Sequence, residues 1–187
     1  VSIKSCLSYT FSVSNSQGTS LIKDRPFTAE MTRSIMLLKE KPYRPRMADY
    51  RIGVFFTGRE QLGEGAKTTV PVYYANRWDI QPSDTAAYLR GEKVKPTKQI
   101  VFYIDNTFPE KWKPYLREGV TQWNELFEQI GFKDVVAAKD FPTDDPEFDP
   151  DNIKYSCVRY APSSIENAMG PSWVDPRSGE ILNASVY

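Results

Sequence analysis

No histidine occurs anywhere in the 187 residues. That removes serine and cysteine triads with an imidazole base, zinc sites built on imidazole, and histidine general bases. Two thiols remain, Cys6 and Cys157. Alone they cannot make a zinc site, and their spacing permits one disulfide without demanding it. The densest group of oxygen ligands is DFPTDDPEFDPD, residues 140–151, with six acids and three prolines in twelve positions. Calcium takes such oxygens, but the EF-hand spacing with its central glycine and terminal glutamate is absent. A solvated loop is the expected reading, with calcium as the alternative. The aromatic run in VPVYYANRW offers Tyr73, Tyr74 and Trp78 as surfaces for a glycan or a partner protein.

The elements that must carry such groups are clearest between Gln99 and Phe132. Five consecutive apolar residues, Ile100–Ile104, suit a strand covered on both faces. Asn106 and Thr107 offer caps, and Pro109 fits a first helical turn. Trp112, Leu116, Val120, Trp123, Phe127 and Ile130 then recur at spacings of four, four, three, four and three. That pattern predicts a buried helical face, with Glu118, Gln122, Glu125 and Gln129 opposite. Pro114 cannot sit deep in a helix, so a turn is expected at 109–113 and the main helix from 114 to the left-handed stop at Gly131.

Upstream, residues 1–13 alternate apolar with polar, as a half-solvated antiparallel strand does. NSQG at 15–18 reads as a turn, and 52–57 and 70–78 as strands, while 31–38 is apolar in both periods and fits helix or strand, with strand favoured by its β-like surroundings. Residues 1–80 are therefore expected to form a β-rich domain. Residues 81–98 form a linker with a short helix capped by Ser83 or Asp84. Residues 99–187 form the second domain. Beyond the helix, 135–138, 153–160 and 180–187 read as strands. Pro171 confines 168–174 to a sheet edge, and DPRSG at 175–179 is a tight turn. The expected fold class is α+β: a β-rich domain, then a mixed twisted sheet with one long amphipathic helix.

A formal net charge of zero argues against nucleic-acid or anionic-membrane binding. Residues 1–95 carry 15 Lys/Arg against 9 Asp/Glu, and 96–187 carry 9 against 15, a net of +6 against −6. Two complementary, mutually packed domains would explain that split. No apolar run reaches the ~18 residues of a membrane span, and no signal peptide opens the chain. The chain starts and stops in mid-pattern, as an excised piece would.

YANRWDI, KPTKQIVFYID, GVTQWNELFEQIGFKD and GPSWVDPRSGEILNASVY resemble a family of large secreted bacterial zinc-dependent metalloproteases. In these a β-rich domain of unknown function precedes a metzincin-like catalytic domain. The resemblance is strongest over 72–78 and 98–187. There the order strand, long helix, strand, strand, edge strand, turn, strand is similar to the upper half of the catalytic domain. It implies zinc in the parent protein and none in this chain, and a polypeptide substrate. It also implies the remainder of the catalytic domain as a partner, and a periplasmic or extracellular location. The H-E-x-x-H helix, two ligands one turn apart with a glutamate base, would lie beyond the last strand, so no catalytic or metal residue carries over. The substrate rim does. Met169, Gly170, Pro171, Ser172, Trp173 and Val174 match the edge strand that pairs with an extended peptide. By the same resemblance Asp49, in the basic, proline-bounded stretch YRPRMADYR, is a candidate ligand donor of an inhibitory segment. The expectation from a different class is a non-enzymatic glycan- or protein-binding module.

Overall fold

The computed structural model describes residues 1–63, 65, 67–164 and 167–187. The chain forms two compact units, Val1–Leu37 and Leu38–Tyr187.

The first unit is one long antiparallel hairpin, β1 (Ser2–Ser14) and β2 (Ser20–Ser34). Its turn is set by Asn15, whose side-chain oxygen accepts from the backbone N–H of Gln17 and Thr19 at 3.0 and 2.8 Å. Gly18 supplies the positive φ of 80°. The register shifts after Phe11, where the Ser12 hydroxyl accepts from the Asp24 N–H and donates to its carboxylate. Cross-strand pairing places Leu7 opposite Ala29 and Tyr9 opposite Phe27. Tyr9 stacks on Phe27 at 5.5 Å, and Phe11 meets that ring edge-on at 5.7 Å.

The second unit begins with a hairpin, β3 (Phe56–Gln61) and β4 (Val70–Ala75), whose free side takes a single bridge from Met47 to Tyr74. The helix α1 (Thr85–Leu89) follows, with Asp84 accepting from the Ala87 N–H at 2.9 Å. A five-stranded sheet then forms from β5 (Ile100–Ile104), β6 (Val136–Asp140), β7 (Ser156–Val158), β8 (Ser172–Asp175) and β9 (Glu180–Val186). Its order is β6-β5-β7-β9-β8. The pairs β5/β6, β5/β7 and β7/β9 are parallel, and β8/β9 is antiparallel. The core gathers Ala87, Val94, Ile100, Phe132, Val135 and Val136, with Trp78, Val120 and Phe127 packed against it. Ile104, Val135 and Cys157 are fully enclosed.

The expected α+β class with one long amphipathic helix is corrected. The protein is mainly β, with 38% strand and 11% helix among the described residues. Between 113 and 129 the chain makes two short helices, α2 (Lys113–Thr121) and α3 (Asn124–Gln129). At the junction the Thr121 hydroxyl donates back to the Arg117 carbonyl at 2.9 Å, a bond that competes with regular helix. The next bonds, Glu125 N–H to Gln122 and Leu126 N–H to Trp123, have the tighter i→i+3 span. Asn124 bonds both main-chain groups of Val136 at 2.8 Å, pinning α3 to the start of β6. This tightening moves the apolar stripe off a single face. Val120 and Phe127 stay inward, but Trp112, Trp123 and Ile130 are exposed. The strand expected at 52–57 begins only at Phe56, where pairing with β4 starts, and runs on to Gln61.

Candidate functional site

The hairpin β8–β9 is held firmly everywhere except along one edge. Its turn is built by Asp175, whose carboxylate accepts from the Arg177 N–H at 2.8 Å and binds the Arg177 guanidinium through Nε and Nη2. Ser178 and Gly179 donate their N–H groups to the Asp175 carbonyl. Gly179 has φ 73°, and a Cβ there would stand 2.7 Å from the Ala75 carbonyl oxygen, so only glycine serves. The guanidinium of Arg177 holds the buried Asp175 carboxyl below the usual carboxylate range, against the opposing effect of burial. Because that value is depressed in the fold, the contribution is complete above the ordinary aspartate range near pH ~4. It is lost as pH falls through the lowered value.

Further ties fix the hairpin from residues 39–79. Lys39 Nζ bridges the buried Glu180 at 2.8 Å and Asp79 at 2.9 Å. Arg177 Nη2 donates to the Lys39 carbonyl at 2.8 Å. The Arg77 N–H donates to Gly179, and the Ile181 N–H to Arg77, so Arg77 continues the sheet beside the first residues of β9. The Arg77 guanidinium lies 4.8 Å over the Tyr43 ring and donates to the Tyr43 hydroxyl and the Arg44 carbonyl. Farther along β9, buried Asn183 donates to the carbonyls of Ile153 and Tyr155. Sequence reasoning missed this network. Its one visible signal was the run DPRSGE, which places an acid, a base and a second acid within six residues.

The open edge is β8. Among the described residues it pairs with β9 alone. The ladder extends back beyond β8: Met169 and Tyr187 exchange bonds of 2.7 and 2.9 Å, and the Ser185 N–H donates to the Pro171 carbonyl at 3.0 Å. Alternation in an antiparallel ladder then directs the main-chain groups of Gly170, Ser172 and Val174 away from β9. Trp173 (47% exposed) and Met169 (46%) stand at this edge. The six residues named for a substrate rim thus fall together along the outer border of the sheet.

Asp49 lies elsewhere in the unit. Its carboxylate is occupied within its own turn by the Arg51 N–H, Nε and Nη2, the last at 2.6 Å. The Arg51 guanidinium lowers its pKa. Among the described residues no hydrogen bond or ion pair joins Asp49 to 169–174. Of the three aromatics named for a glycan, Trp78 packs edge-on to Phe102 in the core and Tyr74 is half-buried. Tyr73 is exposed beside Phe56.

The acidic stretch 140–151 starts on Asp140, the last residue of β6, and continues as a loop. Asp140 pairs with Arg117 and Asp151 with Arg159, while Asp145 accepts from the Glu147 N–H. Phe148 anchors it against Tyr103, Phe141 and Tyr155. Among the described residues no three His, Cys, Asp or Glu side chains converge as a metal site. Both cysteines are free thiols, Cys6 exposed and Cys157 buried. No helix among the described residues is long and apolar enough to cross a membrane.

Residues 1–83 match a family described as a domain of unknown function (DUF5117). The match takes in the whole first unit and continues through β4 into the second. No curated protein and no solved structure matches the chain.

Proposed function

We propose that residues 99–187 are the upper part of a zinc-dependent metallopeptidase catalytic domain, contributing its scaffold and the edge strand along which an extended polypeptide substrate lies. The carrying observation is the strand order β6-β5-β7-β9-β8, a parallel set closed by one antiparallel edge strand. A fixed hairpin with outward main-chain donors and acceptors is what strand addition requires. The zinc itself does not fit this chain. There is no histidine, and no ligand cluster occurs among the described residues. Ligands and base would come from the remainder of the catalytic domain, in a periplasmic or extracellular protein. Asp49 has no part in this reading, since Arg51 occupies its carboxylate.

The test has two arms. In the gene, an in-frame H-E-x-x-H codon pattern downstream of Tyr187 is expected, and the longer protein should hold one zinc per chain and cleave casein. In the present chain, a bound extended peptide should slow hydrogen exchange of the Gly170, Ser172 and Val174 amides. A downstream frame without the motif sinks the peptidase reading, and unchanged exchange at those amides sinks the rim.

A further inference from the structure

We infer that the β8 edge selects extended peptides carrying aromatic or large apolar residues at alternate positions, with Trp173 the main selecting residue. This rests on reading β8 as a peptide-adding edge and goes beyond it by naming the sequence class. Side chains two apart on an extended strand share a face, so Met169, Pro171 and Trp173 form one apolar stripe along the border. Both Met169 and Trp173 are close to half exposed, with no strand of the described chain beyond them.

The ladder geometry sharpens the point. Met169 and Pro171 bond inward to Tyr187 and Ser185, and Trp173 stands opposite Asn183 in the same alternation. Toward an added strand these residues therefore occupy the non-hydrogen-bonded positions. In an antiparallel pair those are the sites where opposed side chains approach most closely. A peptide residue facing Trp173 meets the indole directly, and its neighbours two residues away face Pro171 and beyond. An aromatic cross-strand partner is then favoured over alanine by roughly five-fold at such a pair. Ser172 and Val174, on the other face, add main-chain bonds but little selection.

The experiment uses two dye-labelled nine-residue peptides of alternating threonine and guest residues, the guests being all phenylalanine or all alanine. Binding to the chain is read by fluorescence anisotropy, with thermal melts of each variant. The phenylalanine peptide is expected to bind about five-fold more tightly or better. In Trp173→Ala the ratio should fall toward one, with the alanine peptide little affected. Trp173→Val, which keeps a strand-forming residue, gives the same readout should the alanine variant melt early. Ser172→Pro removes an outward N–H that the fold does not use and should abolish binding of both peptides at an unchanged melting midpoint. Equal affinities in the parent chain, or a ratio unaltered by the Trp173 variants, overturn the selection while Ser172→Pro still upholds the edge. No binding by either peptide, or full binding by Ser172→Pro, overturns edge and selection together.

Discussion

At the scale of single residues, the chain has no histidine and two thiols, and its surroundings silence one of the two. Cys157 lies at the centre of the sheet, fully enclosed between β5 and β9. Burial pushes its thiol up to about 12, against the smaller opposing effect of Arg159. Nucleophilic attack needs the thiolate, so Cys157 should be inert at pH ~8, near the ordinary thiol range. Cys6 is exposed on β1. Titration with a disulfide reagent at that pH should count one reactive thiol per native chain and two in denaturant. Two thiols reacting at similar rates in the native protein would contradict the enclosure of Cys157. The residues that matter instead are positioning ones. Asp175, Arg177, Lys39 and Glu180 convert the four-residue connection 176–179 into a fixed corner, leaving the outer border of β8 as the accessible chemistry.

At the scale of elements, the strands were more legible than the helix. The run Ile100–Ile104 is apolar because β5 lies inside the sheet between β6 and β7, and Pro171 and Gly179 marked the edge and the turn through their own backbone limits. The helix failed because periodicity reports which side chains could share a face, not whether the backbone keeps 3.6 residues per turn. Thr121 and Asn124 both make side-chain bonds to the main chain, and neither bond is visible as a hydrophobic pattern. Trp123, placed by spacing at the centre of the buried face, is 59% exposed and lines a shallow depression with Gly119 and Leu126. Trp123→Ala should therefore change stability by less than about 1 kcal/mol, as surface substitutions do. Phe127→Ala, one turn on and packed against the core, should cost about 3 kcal/mol, the lower end for a large aromatic truncated in a core. Urea melts compare them directly, and a larger loss from the Trp123 variant would mean that the stripe is continuous after all. The candidate site was half legible for the same reason. Its strand could be read from Pro171 and alternation, while the network joining 39–79 to 175–181 connects residues far apart in sequence.

At the scale of the whole molecule, the two units differ in what can hold them. The second has a sheet with enclosed residues, and amides in β5 and β7 lie within it. No residue of the hairpin β1–β2 is buried, and Ile3, Tyr9, Phe11, Val13, Phe27 and Met31 are each more than 40% exposed. Its strands of 13 and 15 residues are more than twice the usual length. Length adds ladder bonds, and the Tyr9–Phe27–Phe11 cluster adds roughly 0.2–1 kcal/mol per cross-strand pair. Neither covers the apolar face within the unit itself, and two strands without a covered face are at best marginal in water. Local opening free energy follows buried contacts, so native-state hydrogen exchange should divide the chain sharply. Amides of Ile104, Cys157 and Val158 are expected to exchange only through near-global unfolding. Those of Leu7, Tyr9 and Phe27 should exchange at least a hundred-fold faster, an opening difference of about 2.7 kcal/mol. Adding denaturant should bring the first group down steeply and leave the second almost unchanged, because little surface is exposed when the hairpin opens. Equal protection in both groups, with equal denaturant slopes, would mean that the hairpin's apolar face is covered in solution.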